Sequence, residues 1–214
     1  MSQCKGLRSH KLLITVVAAA ALTLGAVASF ITPRLEAPAI DGLLWPKSKA
    51  LTAFALEDHH REAFTLERVT GGWTLLFFGY THCPDVCPVT LSVLKNAVAL
   101  MGRAGADAEL PQVVFVSVDP ERDTLEHLGS YVSHFNPDFL GITGSDENLA
   151  TLARQLGILY LRAEPDADGD YVVDHTAAVF LIDPRGHLVA LFQAPHDPER
   201  IARDVPRIQE LEWN

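Results

Sequence analysis

Cysteine is scarce in this chain: there are three in 214 residues, Cys4 near the start and Cys83 and Cys87 four positions apart. A disulfide-built scaffold needs more cysteines, spread along the sequence, so that class is excluded. Positive charge is also in short supply. Seventeen Lys and Arg face 27 Asp and Glu, giving a net charge of −10. Nucleic acid and anionic lipid both require clustered Lys and Arg, so neither is the main partner of such a surface. No internal repeat or low-complexity tract stands out. What remains is 48% hydrophobic residues, enough for one domain with a real core plus accessory segments. A close thiol pair in an otherwise thiol-poor chain reads as metal-binding or redox-active.

One long stretch lacks charge altogether. From Leu12 to Pro33 there is no charged residue, and about twenty mostly apolar residues suffice to cross a hydrocarbon core roughly 30 Å thick. Lys5, Arg8 and Lys11 precede it and only Arg34 follows closely, so the positive-inside bias keeps residues 1–11 in the cytoplasm and exports the rest. The competing reading is a cleaved signal peptide, for which Ala26-Val27-Ala28 has the small-x-small form. The stretch is longer than a usual signal core, which favours a retained anchor over residues 12–32. Cys4 then stays inside and cannot pair with the other two.

Residues 33–50, with Pro33, Pro38 and Pro46, read as a tether to a domain over residues 51–214. Ala53–Leu56 and Ala63–Leu66 flank a polar cluster and predict a hairpin. Trp73–Gly79 and Val113–Val118 are buried-strand signals, and Leu91, Leu94, Val98 and Met101 between them keep helical spacing. Together they form a parallel βαβ unit. A second helix is expected over Leu125–Phe135, with Asp123 and Glu126 as its capping box. Ser145 should cap a third, which stops at Gly157. Ala177–Ile182 and His187–Phe192 bracket a Pro-Gly turn and predict an antiparallel hairpin. A last helix begins at Pro198, and Pro206 should kink or divide it. The order βαβ, helices, then ββα is that of an α/β, thioredoxin-like fold with an N-terminal hairpin and a single N-terminal transmembrane helix.

Chemistry concentrates in Gly79-Tyr80-Thr81-His82-Cys83-Pro84-Asp85-Val86-Cys87-Pro88, which follows a buried strand and precedes an amphipathic helix. A helix starting at Cys83 would place Pro88 inside it, so Cys87 is expected at the cap and Pro88 at the first helical position. A thiol there should have a lowered pKa. The spacing suits a disulfide or a shared metal ion equally well. Most of the nine histidines have bland readings: His59 and His60 in a hairpin tip, His127 and His134 on a helix, His82 diverging from Cys83. His175, in Val173-Asp174-His175-Thr176-Ala177, differs because it enters a central strand, where thioredoxin-like folds pack a loop against the cysteine turn.

These segments resemble the Sco/SenC family of copper proteins that assist cytochrome c oxidase assembly. The resemblance rests on Phe77 through Pro88, on Ser117-Val118-Asp119-Pro120-Glu121-Arg122-Asp123-Thr124 and on Asp174-His175-Thr176, and it covers roughly residues 40–205. It implies copper as the bound ion, with Cys83, Cys87 and His175 as its ligands. Two thiolates and an imidazole suit Cu(I) and accommodate Cu(II). Asp119, Arg122 and Asp123 are expected at a strand end and a helix cap, with no metal role.

The resemblance further implies a metallochaperone rather than an enzyme, while the short N-terminal region and the charges flanking the anchor suggest a bacterial inner membrane with the domain facing the periplasm. Its partners would be the copper-accepting subunit of cytochrome c oxidase and a periplasmic copper donor or thiol reductant. Oxidation of Cys83 and Cys87 to a disulfide would abolish the site. The other expectation is a thiol–disulfide reductase acting on the oxidase's copper-site cysteines; that chemistry uses the thiol pair but needs no His175. A structural zinc site wants a fourth ligand.

Overall fold

The computed structural model describes residues 40–105 and 109–211, and the strand and helix periods of the sequence reappear there as ordered elements. β1 (Leu43–Ala50), β2 (Ala55–Asp58) and β3 (Ala63–Thr65) precede a single-turn α1 (Leu66–Val69). β4 (Thr74–Gly79), α2 (Val86–Ala104) and β5 (Gln112–Ser117) make the βαβ unit. α3 (Leu125–Phe135), β6 (Leu140–Thr143) and α4 (Asp146–Leu156) come next. The chain then runs through β7 (Tyr160–Arg162), β8 (Val173–His175), β9 (Ala178–Ile182), β10 (His187–Gln193) and α5 (Pro198–Gln209).

One eight-stranded sheet carries the order β1-β10-β9-β4-β5-β6-β2-β3, and β7 pairs with β8 as a separate ribbon. β4, β5 and β6 are parallel, whereas β9 joins β4 antiparallel, Phe77 opposite Val179. Every residue of β4 and of β9 is buried, which is why both read as unbroken apolar runs. Phe77, Phe78, Phe115, Leu75 and Leu91 are sealed completely, each contributing roughly 1.5–3 kcal/mol of transfer free energy. α2 packs beside α5. This is the thioredoxin-like arrangement, and it puts the β4–α2 turn and the ribbon before β9 at the ends of neighbouring central strands.

Several boundaries differ from the sequence expectations for physical reasons. The tether expected over residues 33–50 ends in a strand: β1 pairs with β10, its register shifting between Leu44 and Lys49 around Pro46, as an edge strand can tolerate. α2 starts at Val86 with Asp85 at its N-cap, so Cys87 and Pro88 both lie in the first turn. Backbone N–H groups there have no helical partner, and Pro88 therefore costs no hydrogen bond. Thr124, not Asp123, caps α3, its hydroxyl accepting from the His127 N–H at 3.2 Å. Ser145 and Gly157 bound α4 as expected, Gly157 in the left-handed region at φ 70°. α5 runs on through Pro206 undivided. The expected transmembrane anchor at residues 12–32, and Cys4, lie outside the described residues. Among the described residues, no helix is long and apolar enough to cross a membrane.

Candidate metal centre

Gly79 ends β4 against the thiol turn, and it has to be glycine. A Cβ at that position would stand 2.7 Å from Cys87 Sγ and 2.7 Å from the Phe115 ring. The chain turns through Tyr80–Cys83, where the Cys83 N–H donates to the Tyr80 carbonyl at 3.3 Å. The Cys87 N–H in turn donates to Cys83 Sγ at 3.4 Å, so a helix-start donor faces the first sulfur. Both cysteines are free thiols; Cys87 is fully buried and Cys83 is 8% exposed.

His175 arrives at the end of β8, 88 residues along the chain from Cys87. Its Nε2 lies 3.4 Å from Cys87 Sγ, and one ligand atom from each of Cys83, Cys87 and His175 falls within 4.8 Å of the others. The Thr176 carbonyl sits 3.3 Å from Nδ1 and can accept a hydrogen bond from its N–H, a tautomer that leaves the Nε2 lone pair toward the sulfurs. Tyr80 and Phe77 hold the imidazole edge-on, with ring centroids 6.1 and 6.0 Å away. Burial holds the His175 pKa below the usual histidine value, so the ring rests in the neutral, metal-ligating form.

Cys87 departs from the expected lowered pKa. Removal from water dominates and pushes its thiol well above the usual range, although the Tyr80 backbone hydrogen bond opposes the rise. A metal ion bound at this sulfur would displace its proton outright, since a coordinated thiol ionises.

The Ser117–Thr124 segment contributes more than a strand end. Asp123 is buried, and its carboxylate accepts from the Thr81 N–H at 2.9 Å, the Thr81 hydroxyl at 2.5 Å and the Ser117 hydroxyl at 2.5 Å. It thus ties down the turn two residues before Cys83. Asp119 accepts from Arg122 Nε and from the Tyr171 hydroxyl, each at 2.6 Å, while the Arg122 guanidinium lies 3.5 Å from the Tyr171 ring centroid and 5.8 Å from that of Tyr80. Sequence reasoning missed these supports. Their one signal was a charged cluster, Asp119, Glu121, Arg122 and Asp123, directly after a mostly apolar strand. Asp174 is exposed, and its charge acts on His175 only through space. Around His175, the side chains of Leu159 and Leu161 are 80% and 70% exposed.

A thioredoxin-like fold whose thiol turn faces an imidazole from a separate ribbon defines a protein of soft-metal or thiol chemistry. The SCO1/SenC family model matches residues 46–210, and the chain belongs to that family. A protein of Stutzerimonas stutzeri described as a putative copper-binding protein is 36% identical over 171 residues, covering 79% of this chain and 82% of its own length. The mitochondrial SCO2 homologue of Mus musculus is 38% identical over 154 residues, covering 72% of this chain but only 60% of the mouse protein. The crystal structure of Arabidopsis thaliana ScoI with copper bound superposes with a TM-score of 0.69 at 34% identity, covering 75% of this chain and 98% of the other.

Proposed function

We propose that this chain is a copper metallochaperone that holds the ion on Cys83, Cys87 and His175 and passes it to the dinuclear copper centre of cytochrome c oxidase. The observation that carries this reading is the approach of His175 Nε2 to Cys87 Sγ at 3.4 Å. With metal–sulfur bonds of about 2.3 Å and metal–nitrogen bonds of about 2.0 Å, atoms this close share one ion with little movement. Two sulfurs and one nitrogen favour Cu(I), and three protein ligands leave a position open for an incoming thiolate. Copper bound to the Arabidopsis relative supports the choice of ion. The oxidase as client rests on the family resemblance alone.

Transfer needs a docking face, and the exposed Leu159 and Leu161 beside His175 supply apolar contact for an acceptor subunit. The apolar run at residues 12–32 would anchor the domain on the periplasmic side of a bacterial inner membrane. Oxidation of the two thiols to a disulfide would remove two ligands and release the ion. A periplasmic thiol reductant, itself oxidised to a disulfide, would restore both thiols, and a copper donor would then reload them.

The thiol–disulfide reductase is the competing function. That chemistry uses the thiol pair but gives an imidazole 3.4 Å from Cys87 Sγ no task, and this placement of His175 favours the metal reading. The deciding experiment is an anaerobic Cu(I) titration of wild type and His175→Ala, with a disulfide-reductase assay on both. The expected result is near-stoichiometric binding that weakens at least about tenfold, or about 1.4 kcal/mol, in the variant. Equal affinity with robust reductase turnover would overturn the chaperone reading.

A further inference from the structure

A second group of ligating side chains lies on the other side of the turn that carries Cys83. One ligand atom from each of His82, Asp123 and His127 falls within 4.8 Å of the others. His82 Nδ1 stands 3.4 Å from Asp123 Oδ1, and the two imidazole rings are 5.7 Å apart, centre to centre. None of the three belongs to the thiol site, and they come from three positions: the turn before α2, the end of the β5–α3 connection and the first turn of α3.

We propose that His82, Asp123 and His127 form a second metal site, for a divalent transition ion such as Zn(II) or Cu(II). Two imidazoles and one carboxylate make a nitrogen–oxygen set, harder than the two sulfurs and one nitrogen next door, and matched to the divalent rather than the cuprous state. Bonds of about 2.0–2.2 Å place such ligand atoms roughly 3–3.5 Å apart, so the group has only to tighten. His82 Nδ1, now 3.1 Å from the Thr81 hydroxyl, would exchange that contact for the ion. Both histidines are exposed, whereas Asp123 is buried and fixed by Ser117 and Thr81. The neighbouring guanidinium of Arg122 is paired with Asp119 at 2.6 Å and does not occupy the Asp123 carboxylate. Solvent fills the remaining positions, which makes this an open site rather than a closed structural one.

The test is a Co(II) titration of the full chain carrying Cys83→Ser and Cys87→Ser, followed by displacement with Zn(II). Disabling the thiols keeps the outcome independent of the copper reading. The expected result is one saturable equivalent with visible bands of a nitrogen–oxygen cobalt centre and no sulfur charge-transfer band. His127→Ala, a change on an exposed helix face, should weaken it at least about tenfold. Should the serine variant fail to fold, the reduced wild-type chain serves: its sulfur band reports the thiol site, and His127→Ala should abolish only the equivalent lacking that band. Absence of saturable binding, or binding as strong in His82→Ala and His127→Ala as in the unsubstituted site, would overturn the site.

Discussion

Asp123 grips Thr81 twice, taking both its backbone N–H and its hydroxyl, across 42 residues of sequence. The turn bearing the first sulfur is therefore held from behind by a residue that need not touch the metal. A buried carboxylate with three donors is costly to disturb, because any change strands a donor in a dry site.

Asp123→Asn keeps the shape but turns one acceptor oxygen into an N–H donor facing donors. Urea denaturation should show a loss of about 1–3 kcal/mol. Thr81→Val removes one hydroxyl bond and should lose about 1 kcal/mol. If Asp123 positions the turn, both variants also weaken Cu(I) binding, in the same order as their stability losses. Unchanged Cu(I) affinity in a destabilised Asp123→Asn protein would leave the residue without a positioning role at the thiol site.

Gly79→Ala tests the close approach of strand and thiol. The added methyl meets Cys87 Sγ and Phe115 at 2.7 Å, with no flexible chain end to give way. The expected cost is about 1–3 kcal/mol by overpacking. Since Cys87 must move, Cu(I) affinity should fall along with the thermal midpoint. Gly71→Ala, where nothing lies within 4 Å but φ is +90°, controls for backbone strain away from the site.

Acid should weaken the fold through histidines outside the thiol site. Burial depresses the pKa of both His59 and His196 below the ordinary 6.5. Below pH 6.5 the unfolded chain takes up protons that the folded chain refuses, so stability is full above that value and declines as pH falls through the folded pKa values. Neutral His59 accepts the Gly141 N–H on Nδ1 at 3.1 Å, a bond its protonated form cannot keep. Denaturation midpoints should therefore drop between about pH 7 and pH 5, and His59→Asn should flatten the slope. A pH-independent midpoint in wild type would refute this account.

Oxidation supplies a reversible test of the thiol pair. A disulfide oxidant such as diamide removes two electrons and two protons from Cys83 and Cys87 as the sulfur–sulfur bond forms. Mass spectrometry should record a loss of two hydrogens, and bound copper should appear in the filtrate in equal measure. Reduction should restore both thiols and the binding capacity. Copper retained by the fully oxidised protein would eliminate the redox gate.

The central strands were legible because burial on both faces leaves a predominantly apolar run, and Trp73–Gly79 and Val113–Val118 are such runs, with only Thr74 and Ser117 polar. The pairing of His175 with the thiol turn was legible through topology and the family resemblance, since no local pattern links positions 88 residues apart. Asp123 was misread because Asp with Glu three residues later has the same letters as a capping box. The helix uses Thr124 instead, and the carboxylate turns inward to partners far away in sequence. Helix onset at Val86 was missed for a similar reason: proline is tolerated anywhere in a first turn, not only at its first residue. His127 looked like one more surface histidine on α3. What sets it apart is the neighbouring turn, which folding alone brings alongside.

β1 carries a practical lesson for anyone trimming this protein. It covers the outer main-chain groups of β10, with Leu43 opposite Leu191 and Ala50 opposite His187. A shortened version starting at residue 51 would bare a row of hungry amides and carbonyls along an apolar strand, an invitation to self-association. Expression work that keeps Ile40 onward should yield monodisperse material, whereas the shorter cut should clump.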